Sequence, residues 1–352
     1  MQEKKKTKIF TIAELKESAK KKVRGGEIFV KGVSCGFKVG DEYISYRKGY
    51  TTGIFSYSAQ GKTQFLIEQL IHTAREAGWK HAIWLTETGK KEEIIMDFVM
   101  TYLGKSYFDP DNYPTEEEED AALKWMEDHI YIIDHEESML NLRDIYTAVT
   151  EFEKQTGLKM DTVSIDNASN LSREPEQERS SIAEYMNYIM RSTARASIKK
   201  DYHTFILFHL NKPDYMMECP TQKKAGGEYR YHPAPSHYNI SGGQQINFLG
   251  FQLIGIYRPI SKKAQYGIIN PDTGIPFELN ETHVIVTKSK PKAIGKEGSF
   301  VLYFDKSRQK YYERGEVFGK KYYCGEFLGS YGDKNDIVVE KKQSILDEED
   351  LF

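Results

Sequence analysis

An apolar run over residues 50–56 (YTTGIFS) meets the turn segment Tyr57-Ser58-Ala59-Gln60-Gly61, and an amphipathic stretch over 63–77 follows Lys62 at once. No other feature of the chain restricts its fold as strongly. A strand, a tight turn and a helix start, in that order, let turn amides and the helix N-terminus point at one anion. Lys62 can reach the β- and γ-phosphates of a nucleotide, and Thr63 can bind Mg²⁺. The expected cradle is Ser56, Ser58, Ala59, Gln60, Gly61, Lys62, Thr63 and Gln64. A Gly-Lys-Thr tripeptide also arises by chance at ordinary helix starts. The strand before it and the helix after it separate the two cases.

The rest of the chain repeats this unit. Further apolar runs cover 81–87, 130–134, 162–166, 203–209 and 250–257, and most are continuous rather than alternating. Continuous runs mark strands covered on both faces. Helical periodicity covers 90–102, 121–128, 140–155 and 180–198. The expected fold is α/β, a mainly parallel sheet covered by helices. Runs at 283–288 and 299–304 add antiparallel edge strands at its C-terminal side. Segments 109–120, 213–238 and 261–280 look inserted, the first of them acidic.

Before the repeat, Thr11-Ile12-Ala13-Glu14 forms a capping box for a short amphipathic helix that Gly25-Gly26 ends. The domain reading is a basic lead-in over 1–30, one ATPase domain over 31–330 and an acidic flexible tail over 331–352.

Composition removes several classes. Lys and Arg total 49 against 52 for Asp and Glu, a net charge of −3, so any polyanion site must be a local patch. The longest apolar stretch, 248–257, is about half a membrane span. The basic N-terminus has no apolar run behind it and is no signal peptide. Cys35, Cys219 and Cys324 follow no ligand pattern, which argues for a reducing compartment and against structural zinc. A cytoplasmic protein is expected, with any metal brought by its substrate.

Three more strand ends carry chemistry. Asp166 closes TVSID, where a phosphate-loop enzyme keeps a second carboxylate for Mg²⁺. Glu87 follows AIWLT and can orient an attacking water. His209 closes the run in FILFHL. Each alone is commonly a cap, an exposed acid or a packed histidine. Together with Ser56 they all fall at strand carboxyl ends, where an open α/β sheet binds its ligands.

With these segments in order, the chain resembles the hexameric replicative helicases of the DnaB and Twinkle type, on a RecA-like P-loop ATPase core. The resemblance spans about Gly32 to Glu313. GVSCGF and GYTTGIFSYSAQGKTQF resemble the entry strand and phosphate loop, in which this family commonly lacks the first glycine. WLTE resembles the strand of the catalytic glutamate, which falls on Glu87. SIDNASNL resembles the segment of Asp166, and FHLNKP the motif whose side chain senses the γ-phosphate, here His209. APSHYNISGGQQINFLGFQLIGIYRP resembles the stretch after the second DNA loop. VIVTKSKPKAIGKEGSFVLYFD resembles the final motif, whose basic residues reach a neighbour's ATP. There the family has a lysine and then an arginine finger, and this chain has Lys288 and Lys290. Lysine lacks the planar two-pronged contact of arginine, so slower hydrolysis follows, or a finger from elsewhere, with Arg258 a candidate.

The resemblance implies ATP or another NTP with Mg²⁺, hydrolysed between subunits of a homo-hexameric ring that moves along single-stranded DNA. For the strand itself, PTQKKAGGEYRY offers Lys223, Lys224, Tyr229 and Arg230, cations with interleaved aromatics. A loop at 170–178 adds Arg173 as its one cation. The tail LDEEDLF, ending at Phe352, can steer a basic replisome partner. Two other readings stay open. One is a recombination ATPase that forms filaments on DNA, and the other is a nucleotide-gated DNA or replisome scaffold with little turnover. No membrane partner is expected.

Overall fold

The structure, a computed structural model, describes residues 9–87, 89–134, 136, 139–211, 221–224, 227–240, 251–259, 268–270, 274–315 and 319–326, with 221–230 as backbone only. In chain order the strands are β1 (Val33–Ser34), β2 (Ser45–Tyr46), β3 (Thr51–Ser56), β4 (His81–Leu85), β5 (Ile130–Ile132), β6 (Thr162–Asp166) and β7 (His203–His209). There follow β8 (Thr221–Lys224), β9 (Gly227–Arg230), β10 (Gln252–Tyr257), β11 (Glu281–Ser289), β12 (Gly298–Asp305), β13 (Lys310–Arg314) and β14 (Lys321–Tyr323). The helices are α1 (Ile12–Arg24), α2 (Lys62–Ala77), α3 (Lys91–Leu103), α4 (Glu116–Met126), α5 (Leu142–Thr156) and α6 (Ile182–Lys200).

Among the described residues, one large sheet runs in the order β14-β13-β12-β11-β10-β3-β7-β6-β4-β5. From β10 to β5 every pairing is parallel, and from β10 out to β14 every pairing is antiparallel. The continuous apolar runs have the expected cause. Along β7, Phe205 and Leu207 join the core shared with Phe65, Leu66 and Leu70 of α2 and Phe98 of α3. Ile206 and Phe208 join the opposite core with Ile145 of α5 and Ile189 of α6. Alternate residues face opposite layers, so both sets must be apolar.

The segment at 109–120, acidic and read as inserted, carries the first turn of α4. Thr115 caps α4 through a capping box with Glu118, and Glu116, Glu117, Glu118 and Glu119 fill the first turn. Carboxylates there face the positive end of the helix dipole, so an acidic run is favourable rather than a loop signal. Strands β13 and β14 also lie beyond the expected sheet. Their sequences, KYYER and KYY, are short and half polar, and they become strands by pairing, β13 with β12 and β14 with β13.

At the other end, α1 has the foreseen capping box between Thr11 and Glu14 and ends at Gly25, with no buried residue. Among the described residues, no helix is long and apolar enough to cross a membrane.

Candidate functional site

Register brings the strand ends together. Ser56 of β3 pairs with His209 of β7, and Leu85 of β4 pairs with Asp166 of β6. Ser56, Glu87, Asp166 and His209 therefore stand along one edge of the sheet. Between β3 and α2 the chain turns through left-handed backbone at Ala59 (φ 61°) and Gly61 (φ 90°). Gly61 is the N-cap of α2 and supplies no side-chain cap. The first bond of the helix runs from the Phe65 N–H to the Gly61 carbonyl at 3.0 Å. The amides of Lys62, Thr63 and Gln64 thus lack intrahelical acceptors, and together they form an uncapped positive helix end suited to an anion.

Lys62 and Thr63 both turn toward Asp166. The Lys62 ammonium lies 3.2 Å from Asp166 Oδ1, with the two side chains 5% and 0% exposed. The Thr63 hydroxyl donates to Asp166 Oδ2 at 2.6 Å. A hydroxyl and a carboxylate converging on one point are hard oxygen donors that fit Mg²⁺. Among the described residues no group of three or more His, Cys, Asp or Glu can hold a metal ion. Mg²⁺ brought with a nucleotide needs no such group, because phosphates and water complete its shell.

Facing this pair is a second cluster. His209 Nε2 lies 2.8 Å from both Glu87 carboxylate oxygens. The Asn167 amide donates to Glu87 Oε1 as well. Asn167 is fully buried, and its own oxygen accepts the Ser169 N–H at 2.8 Å, so its amide is aimed at Glu87. The carboxylate is exposed to the cleft but held from two sides. A carboxylate in that position can accept a proton from water at the open edge.

Sequence reasoning missed Asn167, because an asparagine after a strand-terminal aspartate is ordinarily read as a turn residue. It also missed Thr86, whose hydroxyl bonds the Asp166 carbonyl at 3.0 Å and accepts from Asn170 at 2.6 Å. These bonds tie the end of β4 to that of β6.

The remaining candidates are distributed as follows. Ser56 is buried, and its hydroxyl donates to the Tyr57 carbonyl at 2.8 Å. Gln60 is buried too and accepts the Arg258 N–H. Gln64 turns away from the cradle and donates to Thr101 Oγ1 at 3.0 Å and the Gln309 carbonyl at 2.8 Å. Arg258 stands at the loop edge of its own chain, its guanidinium on the Leu279 carbonyl at 3.0 Å.

Lys288 and Lys290 are on the opposite side. Ser289 pairs with Gln252, which pairs with Thr52 at the amino end of β3. Strands of this length span roughly 20 Å, so neither lysine reaches its own phosphate loop. Lys288 is buried, and burial, then Lys290, lowers the pKa of its ammonium. Lys290 is exposed.

Of the DNA candidates, Arg173 bonds the carbonyls of Gln177, Glu178 and Ser180 and lies over the Tyr185 ring at 5.1 Å, all within or beside its own loop. The backbone of β8 and β9 forms a hairpin pairing Lys223 with Glu228 and Thr221 with Arg230. The side chains of Lys223, Lys224, Tyr229 and Arg230 lie outside the described residues, as do residues 241–250 and the tail ending at Phe352.

No protein-family model matches the sequence, and no curated protein matches it either. Solved structures do. The ATPase domain of G40P aligns with a TM-score of 0.64 and 17% identity, over 86% of this chain and 99% of that one. A DnaB-like replicative helicase, described with its interactions with primase, aligns at 0.63 and 18% identity, over 86% of this chain and 68% of that one. At such identities the likeness is one of fold. The chain has the RecA-like ATPase fold of these domains, with antiparallel strands added beside β10.

Proposed function

We propose that this chain is a nucleotide-driven motor of the replicative-helicase type. In this reading it binds ATP or another NTP with Mg²⁺ and hydrolyses it at subunit interfaces of a homo-hexameric ring. Hydrolysis drives the ring along single-stranded DNA. The observation that carries the reading is the pair of clusters at one sheet edge, Lys62–Thr63–Asp166 and Glu87–His209–Asn167, on this fold.

Lys62 leaves Asp166 to meet the β- and γ-phosphates, while the amides of Lys62, Thr63 and Gln64 hold their oxygens. Thr63 and Asp166 would hold Mg²⁺, which would supply charge neutralisation at the phosphates. Glu87 orients a water and takes its proton, and His209, bonded to that carboxylate, senses whether the γ-phosphate is present. Lys290 acts in trans. Its position far from its own loop supports this, as does its exposure.

In the same reading Lys223, Lys224, Tyr229 and Arg230 contact the DNA strand, with Arg173 shaping the other loop. The ATPase domain spans 31–330, and the tail over 331–352 holds a basic replisome partner. Steady-state ATP hydrolysis with and without single-stranded DNA tests the reading. Magnesium-dependent turnover that DNA stimulates is expected. No turnover under either condition would overturn it, and helical filaments instead of closed rings in negative stain would overturn the ring.

A further inference from the structure

The strand β13 belongs to the antiparallel edge of the sheet, yet it and the turn before it touch α2 at its phosphate-facing end. The Tyr311 hydroxyl donates to the Gly61 carbonyl at 3.3 Å. Its backbone N–H donates to Glu68 Oε1, about two turns further along the helix. The Gln309 carbonyl accepts from Gln64 at 2.8 Å. Three contacts, at Gly61, Gln64 and Glu68, therefore join one strand end to one helix end.

Packing does not require the Tyr311 hydroxyl. The ring is 2% exposed and sits against Phe65 (6.3 Å) and Phe304 (5.2 Å), a niche that a phenylalanine would fill equally. Nor does packing require a carboxyl at Glu68, which is 2% exposed and has a second oxygen without a partner. Burial pushes that carboxyl up to about 8, so a costly group is kept where it can accept from β13. Behind the contact is a cavity of about 240 Å³ lined by Glu68, His72, Arg75, Lys310 and Cys324.

We propose that β13 is a strap that sets the phosphate loop, with Tyr311 as its positioning residue. The proposal rests on the nucleotide reading above. The Gly61 carbonyl is held twice, by the Phe65 N–H and by the Tyr311 hydroxyl. Because the peptide is planar, fixing that carbonyl also fixes the Lys62 N–H on its opposite side. That is the first amide of the helix end that would meet a phosphate. A Cβ at Gly61 would come within 2.2 Å of the Tyr311 oxygen, so the contact requires glycine at that position. The strap thus ties the loop to β12 and β11, the hairpin that carries Lys290.

Binding of a fluorescent ATP analogue with Mg²⁺, steady-state hydrolysis and thermal unfolding together test this on the full chain. Tyr311→Phe keeps the ring and loses the hydroxyl. Its dissociation constant and KM should rise about fivefold with kcat near wild type, and the unfolding midpoint should fall by no more than the loss of a buried neutral hydrogen bond explains. Glu68→Gln still offers an oxygen to the Tyr311 N–H and should bind as wild type, whereas Glu68→Leu should bind more weakly. A lower midpoint with unchanged affinity in Tyr311→Phe would make the contact merely structural and overturn the strap. Wild-type affinity with a wild-type midpoint would overturn it as well. If the wild-type chain itself binds no nucleotide, the site reading falls first and the strap with it.

Discussion

Replacing Glu87 with glutamine isolates the proton-accepting role, because the geometry around it predicts little else will change. The carboxylate accepts from His209 Nε2, 2.8 Å from either oxygen, and from the Asn167 amide. Glutamine keeps one oxygen for Asn167 and turns its NH₂ toward His209. The imidazole can accept there by moving its proton to the other nitrogen. The pair is 31% and 36% exposed, so water compensates for what the swap loses, and stability should change by less than about 1 kcal/mol. The phosphate contacts of Lys62 and Thr63 are untouched, so nucleotide affinity should stay near wild type. Turnover should fall by about a hundredfold to ten-thousandfold, the usual contribution of a positioned base. Phosphate release at saturating ATP, beside equilibrium binding of a fluorescent analogue, separates the two. A Glu87→Gln chain that hydrolyses at the wild-type rate would refute the assignment of the base.

Other expectations follow from the same geometry. Lys62→Ala removes a cation bonded to the fully buried Asp166, so it should lose nucleotide binding and also lower stability by on the order of 3 kcal/mol. Adding Asp166→Asn should restore part of the melting midpoint but none of the binding, and an unchanged midpoint in Lys62→Ala would refute the buried pair. Lys290→Ala should assemble and bind nucleotide but hydrolyse poorly. Mixing it with Lys62→Ala should recover some turnover, since mixed rings contain interfaces with both lysines, and normal turnover by Lys290→Ala alone would make it a solvated cation. Burial pushes His81 down to about 3 and His72 and His203 down to about 4. Their unfolded value is about 6.5, so below that pH the unfolded chain takes up protons that the folded one refuses. Stability should be full above that pH and fall as pH drops toward 4, by up to about 1.4 kcal/mol per pH unit for each histidine. Equal melting midpoints at neutral and mildly acidic pH would contradict this.

Much of the molecule is legible in the order of its residues. Strands β6 and β7 and the capping box of α1 follow from apolar runs and local cap chemistry, which act within a few residues. The turn between β3 and α2 is local too, and so are the strand-end positions of Ser56, Glu87, Asp166 and His209. What no local pattern contains is the order of strands in the sheet. Because β6 lies between β4 and β7, Asn167 stands between Glu87 and His209 and can bond the former.

Because β11 runs back beside β10, Lys290 is carried to the edge opposite its own phosphate loop, while Arg258 stays beside that loop. Because β13 pairs with β12, Tyr311 reaches a glycine 250 residues earlier in the chain. Such contacts form only when distant segments share one sheet, and their partners are chosen by strand order and register. Residue types and spacing alone therefore set which chemical groups stand at the strand ends for the proposed hydrolysis. Only the tertiary structure decided which groups hold one another in position to perform it.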